Sequence, residues 1–520
     1  MSTAAQISNA SRKLTGREFY QSLGSPKMIL APMVDRSEFV CDCAWRMLTR
    51  SFVGEKSSSH LLAYSPMLHA RLFKERPAYR SQHFEAVRAH PSEENNGADS
   101  RWFLDGNPRI DRPLIVQFCA NEPDELLEAA KLVQPYCDAV DLNLGCPQGI
   151  AKKGRYGAFL QEEPDLIYKL INTLHTELSI PVTAKFRILE TKEKTLEYAK
   201  MILSAGASFI SVHGRRREQK GHNTGVADWS YIRYLRDNLP PDTVIFANGN
   251  ILNHDDIQKC LETTGADGVM SAEGNLSDPT IFSHPPPIGE KIPGYWRGRN
   301  NKGGYRLDFI LRRYMDIIYK YVLETAPPKR KPLFETSSAA SDHSTSELEE
   351  KILPPEQEDG PPRKKQKKSK DQKTVSPNLC PMQGHLFQLL RPLVSKKTHV
   401  RDALARCRAG DIPAFENVLL LVEEAVKEGI QEYNATPELH DESEEPQDAT
   451  LNGSKATIAK YKRPWWVCQP YIRPLPEEAM EKGALQLKKK GRAEINKEAK
   501  DNNLELEAEI VTPKDQLVSG

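Results

Sequence analysis

The sequence predicts an α/β protein: a (β/α)8 TIM barrel followed by a smaller helical domain, with disordered linkers. Three observations carry that expectation. Eight short apolar runs, at 28–33, 61–67, 114–119, 139–144, 182–188, 209–213, 244–248 and 268–272, alternate with stretches of helical length. Continuous apolar runs spaced by helices are the pattern of parallel strands buried on both faces, and eight units over about 250 residues match a closed barrel. Polar and glycine residues stand at the ends of the runs, where a barrel gathers its functional groups. An open doubly wound sheet usually announces itself by G-x-G-x-x-G after its first strand, and no such motif occurs in the chain.

Taken in order, residues 1–24 are polar and read as a tail, and the barrel is expected over 25–300. Between the second and third runs, 81–108 is a polar insertion, expected as a surface loop. The stretches 123–136, 164–178 and 194–205 carry apolar residues at helical spacing, and Gly206 sits where a helix stop belongs. Beyond the barrel, 305–322 predicts an amphipathic helix with Leu307, Ile310, Leu311, Tyr314, Ile317, Ile318 and Tyr321 on one face. Residues 301–325 and 379–432 are assigned to a basic helical domain, interrupted by a Pro-, Ser-, Glu- and Lys-rich insertion at 326–378 that is expected to be disordered. An acidic linker at 433–458 precedes a C-terminal segment and tail at 459–520. There Trp465 and Trp466 are expected to fill an apolar groove rather than stack on bases.

At 520 residues the chain is too long for one compact core. Its net charge, 72 minus 71, is +1, so only local charge can point to nucleic acid. Nine cysteines, an odd number with no C-x-x-C pair, argue against a disulfide framework and a zinc ribbon. A reducing compartment and no metal are expected. The N-terminus lacks an apolar signal core, and no run approaches the roughly 18 apolar residues of a membrane span. The chain therefore reads as soluble and intracellular, without a membrane partner, and a monomer is expected. Six basic residues among the eight at 363–370 resemble a nuclear localisation signal, though a solvated basic linker gives the same composition. Cytoplasm and nucleus are both open.

The chemistry centres on Asp141-Leu142-Asn143-Leu144-Gly145-Cys146-Pro147-Gln148, which leaves a strand and ends in a thiol on a tight turn. Gly145 turns without a Cβ clash and Pro147 fixes φ just beyond, so Cys146 is read as the reactive group. On spacing alone, a small buried hydrophobe competes with that reading. Its company decides otherwise. The other strand ends supply Met33, Gln117, Asn143, Lys185, His213, Asn248, Gly249, Asn250, Glu273 and Gly274. The turns 248–250 and 272–274 can aim backbone N–H groups at an anion, so a phosphorylated ligand is expected. Singly, Lys185 reads equally as an ion-paired lysine, His213 as a core histidine and Gln117 as a backbone hydrogen-bonder. Jointly they are hard to explain as packing.

Ala31, Pro32, Met33 and Val34, the 141–147 stretch, Lys185 to Arg187, the 212–215 run Val-His-Gly-Arg and the 247–250 run Ala-Asn-Gly-Asn, in this order, resemble the tRNA-dihydrouridine synthases across essentially the whole barrel. Residues 64–70, 148–160 and 269–274 further resemble the eukaryotic class acting on D-loop positions 16 and 17. The resemblance implies an FMN enzyme that uses NADPH to reduce uridine in tRNA. It implies that the backbone of Pro32, Met33 and Val34 lies beside the flavin and that Gln117 and Lys185 hydrogen-bond its ring. His213, with Asn248, Gly249, Asn250, Ala272 and Glu273, would hold its phosphate. Cys146 would be the proton donor and Asn143 and Arg215 substrate contacts. Saturating the C5–C6 bond of uracil needs a hydride at C6 and a proton at C5, and a thiol whose ordinary pKa is about 8.5 can give that proton at neutral pH. The target base must first be flipped out of the folded tRNA.

Two features depart from the pattern. The 81–108 insertion has no obvious counterpart, and many bacterial members carry Gly-Arg where this chain has Ala272 and Glu273, so a positive partner for the phosphate is missing. Arg391, Lys396, Lys397, Arg401, Arg406 and Arg408 face a single acid, Asp402, in the first half of the second helical stretch. A one-sided basic face of that kind suits a tRNA backbone, with Lys396, Lys397 and Arg401 as contacts, while a solvated face is the plain reading. The rival functions are a small-molecule flavin barrel of the dihydroorotate dehydrogenase type, which has no use for basic helices, and a non-enzymatic tRNA binder, which has no use for Cys146, Lys185 and His213.

Overall fold

The computed structural model describes residues 12–33, 43–54, 61–88, 102–299, 301–335, 375–437, 454–481, 486–487 and 510–511. Each apolar run carries one parallel strand: β1 Met28–Leu30, β2 Leu61–Tyr64, β3 Leu114–Cys119, β4 Ala139–Leu144, β5 Val182–Arg187, β6 Ile210–His213, β7 Ile245–Asn248 and β8 Gly268–Ser271. Pairing of Leu30 with Ser271 and of Ala63 with Leu114 closes them into the expected barrel. Leu142, Ala184, Val212 and Ala247 face the surrounding helices. Ile29, Tyr64, Ile115, Phe209, Phe246 and Met270 fill the interior. Both sets are apolar, which is why the strands read as unbroken runs rather than alternations.

Residues 12–24 are not a tail. Helix α1, Gly16–Ser22, stops the N-terminal end of the barrel, with Phe19 stacked on Phe209 at 5.7 Å and Tyr20 against Phe246 at 5.9 Å. Nor is 81–108 a surface loop where it is described: Phe84, Ala86, Leu104 and Asp105 are buried and Val87 bridges to Trp102, while 89–101 lies outside the described residues. Asp105 and Asp111 are both held by the buried Arg46 guanidinium, at 2.7 and 2.6 Å. Cys43, Asp105 and Asp111 are close enough together to take a metal ion, but Arg46 already supplies the positive charge these carboxylates need.

Arg46 belongs to α2, Cys43–Arg50, which lies between β1 and β2 in the chain but packs into a second core. That core unites α2 with α3 Leu307–Ile317, α4 Met382–Leu389, α5 Thr398–Arg406, α6 Ile412–Ala435 and residues 466–468. The helical domain is thus larger than 301–325 and 379–432, and the C-terminal segment is part of it. Helix α3 continues into a π turn, Ile318–Val322, covering the amphipathic stretch read from sequence. At the start of the expected insertion, Arg330 is fastened to Asp316 at 2.5 Å and Glu416 at 2.8 Å. The rest of it, 336–374 with the basic run 363–370, lies outside the described residues, as do 438–453 of the acidic linker. That linker is bounded by helix on both sides, since α6 reaches Ala435 and Ser454–Tyr461 is helical.

Trp466 is fully buried and fills a groove, as expected: its ring lies edge-on to Trp296 at 5.1 Å and covers Gly429 of α6. Met33, just beyond β1, packs against both cores. Among the described residues no helix is long and apolar enough to cross a membrane.

Candidate active site

Strand register arranges the polar side chains in tiers at the C-terminal mouth. Gln117 pairs with Asp141 and Asp141 with Thr183; higher up, Asn143 pairs with Lys185 and Lys185 with Ser211; at the top, Arg187, His213 and Asn248 lie side by side. Alternate residues of a barrel strand point inward, so Asp141 and Asn143 on β4, and Lys185 and Arg187 on β5, share one face.

The thiol turn is braced from several sides. Asn143 Oδ1 accepts the backbone N–H groups of Gly145 at 3.1 Å and Cys146 at 2.9 Å, and its Nδ2 donates to Gln117 Oε1 at 2.7 Å. Gln117 Nε2 in turn donates to Asp141 at 2.8 Å, and the Thr183 hydroxyl donates to the other Asp141 oxygen at 2.6 Å. From β5, Arg187 Nε donates to the Gly145 carbonyl at 2.8 Å, and Lys220 Nζ donates to the Pro147 carbonyl at 2.9 Å. Ala158 N–H reaches the Cys146 carbonyl at 3.0 Å because Gly157, at φ +66°, leaves room; a Cβ there would stand 2.8 Å from that oxygen. Cys146 itself stays partly accessible. Burial pushes its thiol above the ordinary value, outweighing Arg187, Lys185 and Lys220, so the proton is present at neutral pH.

Positive charge accumulates around it. Burial, with Arg187 adding, lowers Lys185 to about 8 despite Asp141 and Cys146, and its Nζ donates to Asn248 Oδ1 at 3.1 Å. Arg187 and Arg215 are each brought down to about 10, first by burial. Asp141, fully buried, is pushed up to about 6. His213 is held neutral by burial and by Arg187, Lys185 and Arg215. Since a guanidinium can only donate, the 3.1 Å contact from Arg215 Nη1 makes His213 Nε2 the acceptor and leaves the proton on Nδ1. Cations gathered this closely with so little compensating charge, Arg187 buried and Lys185 and Arg215 half-buried, suit an anion.

The turn after β7 is shaped for one. Gly249 adopts φ +111°, and a Cβ there would lie 2.6 Å from Ala227 Cβ. Asn250 is left-handed, φ 62°, and its Oδ1 accepts from Arg215 Nη2 at 2.9 Å and from Ala227 N–H at 3.0 Å. Trp229 Nε1 donates to the Gly249 carbonyl at 3.0 Å. After β8, Glu273 is ion-paired with Arg473 of the C-terminal segment, whose Nε lies 3.2 Å from the carboxylate.

Cys146, Asn143, Lys185, His213, Arg215, Asn248, Gly249 and Asn250 therefore come together at one mouth. Pro32 and Met33 stand half-buried at the end of β1, Ala272 and Glu273 at the end of β8, and Val34 lies outside the described residues. Gln117 is fully buried, with its amide bonded to Asp141 and Asn143, so it braces the thiol turn through Asn143. Asn143 is likewise committed to the thiol turn. In the helical domain Lys396 and Arg401 are exposed, Arg401 beside Asp402 at 3.0 Å. Lys397 is not a free surface cation: it pairs with Glu428 at 2.8 Å and lies over the Trp465 ring at 5.3 Å. Sequence reading left out Arg187, Lys220, Gly157 and Arg473. Arg187, two residues after Lys185 on the same strand, was within reach of the period-two rule.

The dihydrouridine synthase family model matches residues 29–322. The NAD(P)(+) tRNA-dihydrouridine(16/17) synthase of Schizosaccharomyces pombe is 43% identical over 469 residues, 90% of this chain and 92% of that protein. Its counterpart in Saccharomyces cerevisiae is 40% identical over 506 residues, 96% of this chain and 97% of that protein. The like-named Rattus norvegicus protein is 34% identical over 470 residues, covering 90% and 78%. With the thiol turn and its cation-lined barrel mouth inside the matched region, the chain belongs to the dihydrouridine synthase family.

Proposed function

We propose that this chain reduces uridines 16 and 17 in the D-loop of tRNA to 5,6-dihydrouridine, with FMN as prosthetic group and NADPH as reductant. The names of its relatives supply the substrate, the positions and the nicotinamide cofactor. The under-compensated cations of the mouth support a phosphorylated prosthetic group: Arg215, His213 and the Gly249–Asn250 turn would hold the phosphate, while Lys185 and the backbone of Pro32 and Met33 would meet the ring. Bound FMN would supply the hydride-transfer chemistry that links NADPH to uracil C6. The chain itself must admit a flipped base, hold it over the cavity and deliver a proton to C5 from Cys146. Asn143, Arg187 and Lys220 fix the height and direction of the thiol, and Gln117 keeps Asn143 in place.

The observation that carries this reading is the partly accessible thiol on a turn braced by three side chains beside a half-buried lysine. Replacing Cys146 by Ala is expected to slow single-turnover uridine reduction by on the order of 10²- to 10⁴-fold. Flavin content, NADPH oxidation and tRNA binding should stay near those of the unaltered protein. A variant that is merely less stable, yet forms dihydrouridine at the original rate, would make Cys146 a packing residue.

A further inference from the structure

Glu273 puts a carboxylate at the very turn where an anion is expected, and Arg473, from far along the chain, answers it. We propose that Arg473 is a cofactor-phosphate ligand delivered by the C-terminal segment: with Arg215 it forms a guanidinium pair across the turns after β7 and β8, and Glu273 holds it in position. This rests on the FMN reading above.

The segment's path supports it. It starts from an anchored point, with Leu307 N–H donating to the Trp466 carbonyl at 3.1 Å and Cys468 N–H to the Tyr305 carbonyl at 2.9 Å. It then crosses to the barrel with the Tyr471 ring beneath the Arg391 guanidinium, 3.8 Å from its centroid. Arg473 Nη1 donates to the Gly221 carbonyl at 3.3 Å, and both Nε and Nη2 engage Glu273. Just beyond, the segment is fixed again, because Leu475 N–H and Ser454 N–H donate to Glu478 at 3.0 and 3.2 Å. Arg473 is thus held from both sides and keeps 17% of its side chain exposed, while Glu273 keeps 32%. Arg215 reaches the turn after β7 through Asn250 at 2.9 Å, and Glu273 and Arg473 are near enough to act on its charge in opposite directions. Two guanidiniums against one carboxylate leave a surplus positive charge on the rim, and with the Nε/Nη2 edge of Arg473 taken by Glu273, one N–H on each of its two Nη atoms is left to meet phosphate oxygens.

The test compares two ligands that differ only in the phosphate. Full-length protein stripped of flavin is titrated with FMN and with riboflavin, followed by flavin fluorescence, for the unaltered chain, Arg473→Ala and Arg473→Lys. Loss of charge-assisted hydrogen bonds should weaken FMN by about ten- to a hundred-fold in Arg473→Ala. Riboflavin should bind as before, and Arg473→Lys should recover part of the FMN loss. Unchanged FMN affinity overturns the proposal. So does an equal loss for both ligands, which would make Arg473 a fold element. If the unaltered protein binds neither ligand, the FMN reading fails first and this assignment with it.

Discussion

At the scale of single residues, Lys185 and Cys146 are pulled in different directions by the same burial. Burial and Arg187 bring the lysine down to about 8, whereas burial pushes the thiol up, so the lysine loses its proton before the thiol does. Below about pH 8 both groups are protonated. Single-turnover uridine reduction should therefore hold steady near neutrality and decline as pH rises through about 8. In Lys185→Arg, whose guanidinium ionises far higher, the alkaline limb should move upward; a limb that stays put would detach it from Lys185. Stability follows the opposite sign. The folded-state pKa is depressed below the unfolded value, so the charged lysine costs stability below about 8, and that cost fades as pH climbs toward 10.5.

At the scale of elements, the Trp466 groove shows what a helix gives up to receive a partner. Gly429 lies inside α6, where glycine costs about 1 kcal/mol relative to alanine. A Cβ there would come within 2.2 Å of Trp466 Cδ1. Gly429→Ala should destabilise the protein by roughly 1–3 kcal/mol in denaturant unfolding, since overpacking outweighs the gain in propensity. A more stable variant would show that the ring moves aside freely. The same contrast explains how far the sequence could be read. The strands were legible because burial on both faces makes unbroken runs, and α3 because one wet face leaves a stripe. Helices α1 and α2 were not, because each is short and its partners lie far along the chain. In the site, the thiol turn, Lys185 and the glycine turn after β7 were legible as local patterns. Lys220 meets its carbonyl 73 residues away and Arg473 its carboxylate 200 residues away, and no local pattern reports such pairings.

At the scale of the whole molecule, an overall charge of +1 hides a division of labour among the cations of the helical domain. Lys396, Arg406 and Arg408 are exposed, whereas Lys397 is tied to Glu428 and Trp465. Changing Lys396, Arg406 and Arg408 together to Gln should weaken tRNA binding and flatten its salt dependence by roughly 0.7–0.9 in log–log slope for each tRNA phosphate that is no longer neutralised. Lys397→Gln should act chiefly on the melting temperature. Flavin reduction by NADPH should survive both. Equal salt slopes for the triple variant and the unaltered chain would remove this face from the tRNA interface.

The ion pair between Glu273 and Arg473 also gives the protein a timetable. Its two halves are separated by 200 positions, with α3 to α6 of the helical domain encoded between them. At roughly 5–20 residues per second of synthesis, the second half arrives about 10–40 s after the first. During that interval the barrel strands have all been made, yet the rim of the mouth lacks its last guanidinium. On the assignment proposed for Arg473, a nascent chain offers FMN a weaker receptor at first, and full retention waits until residue 473 has joined the rim.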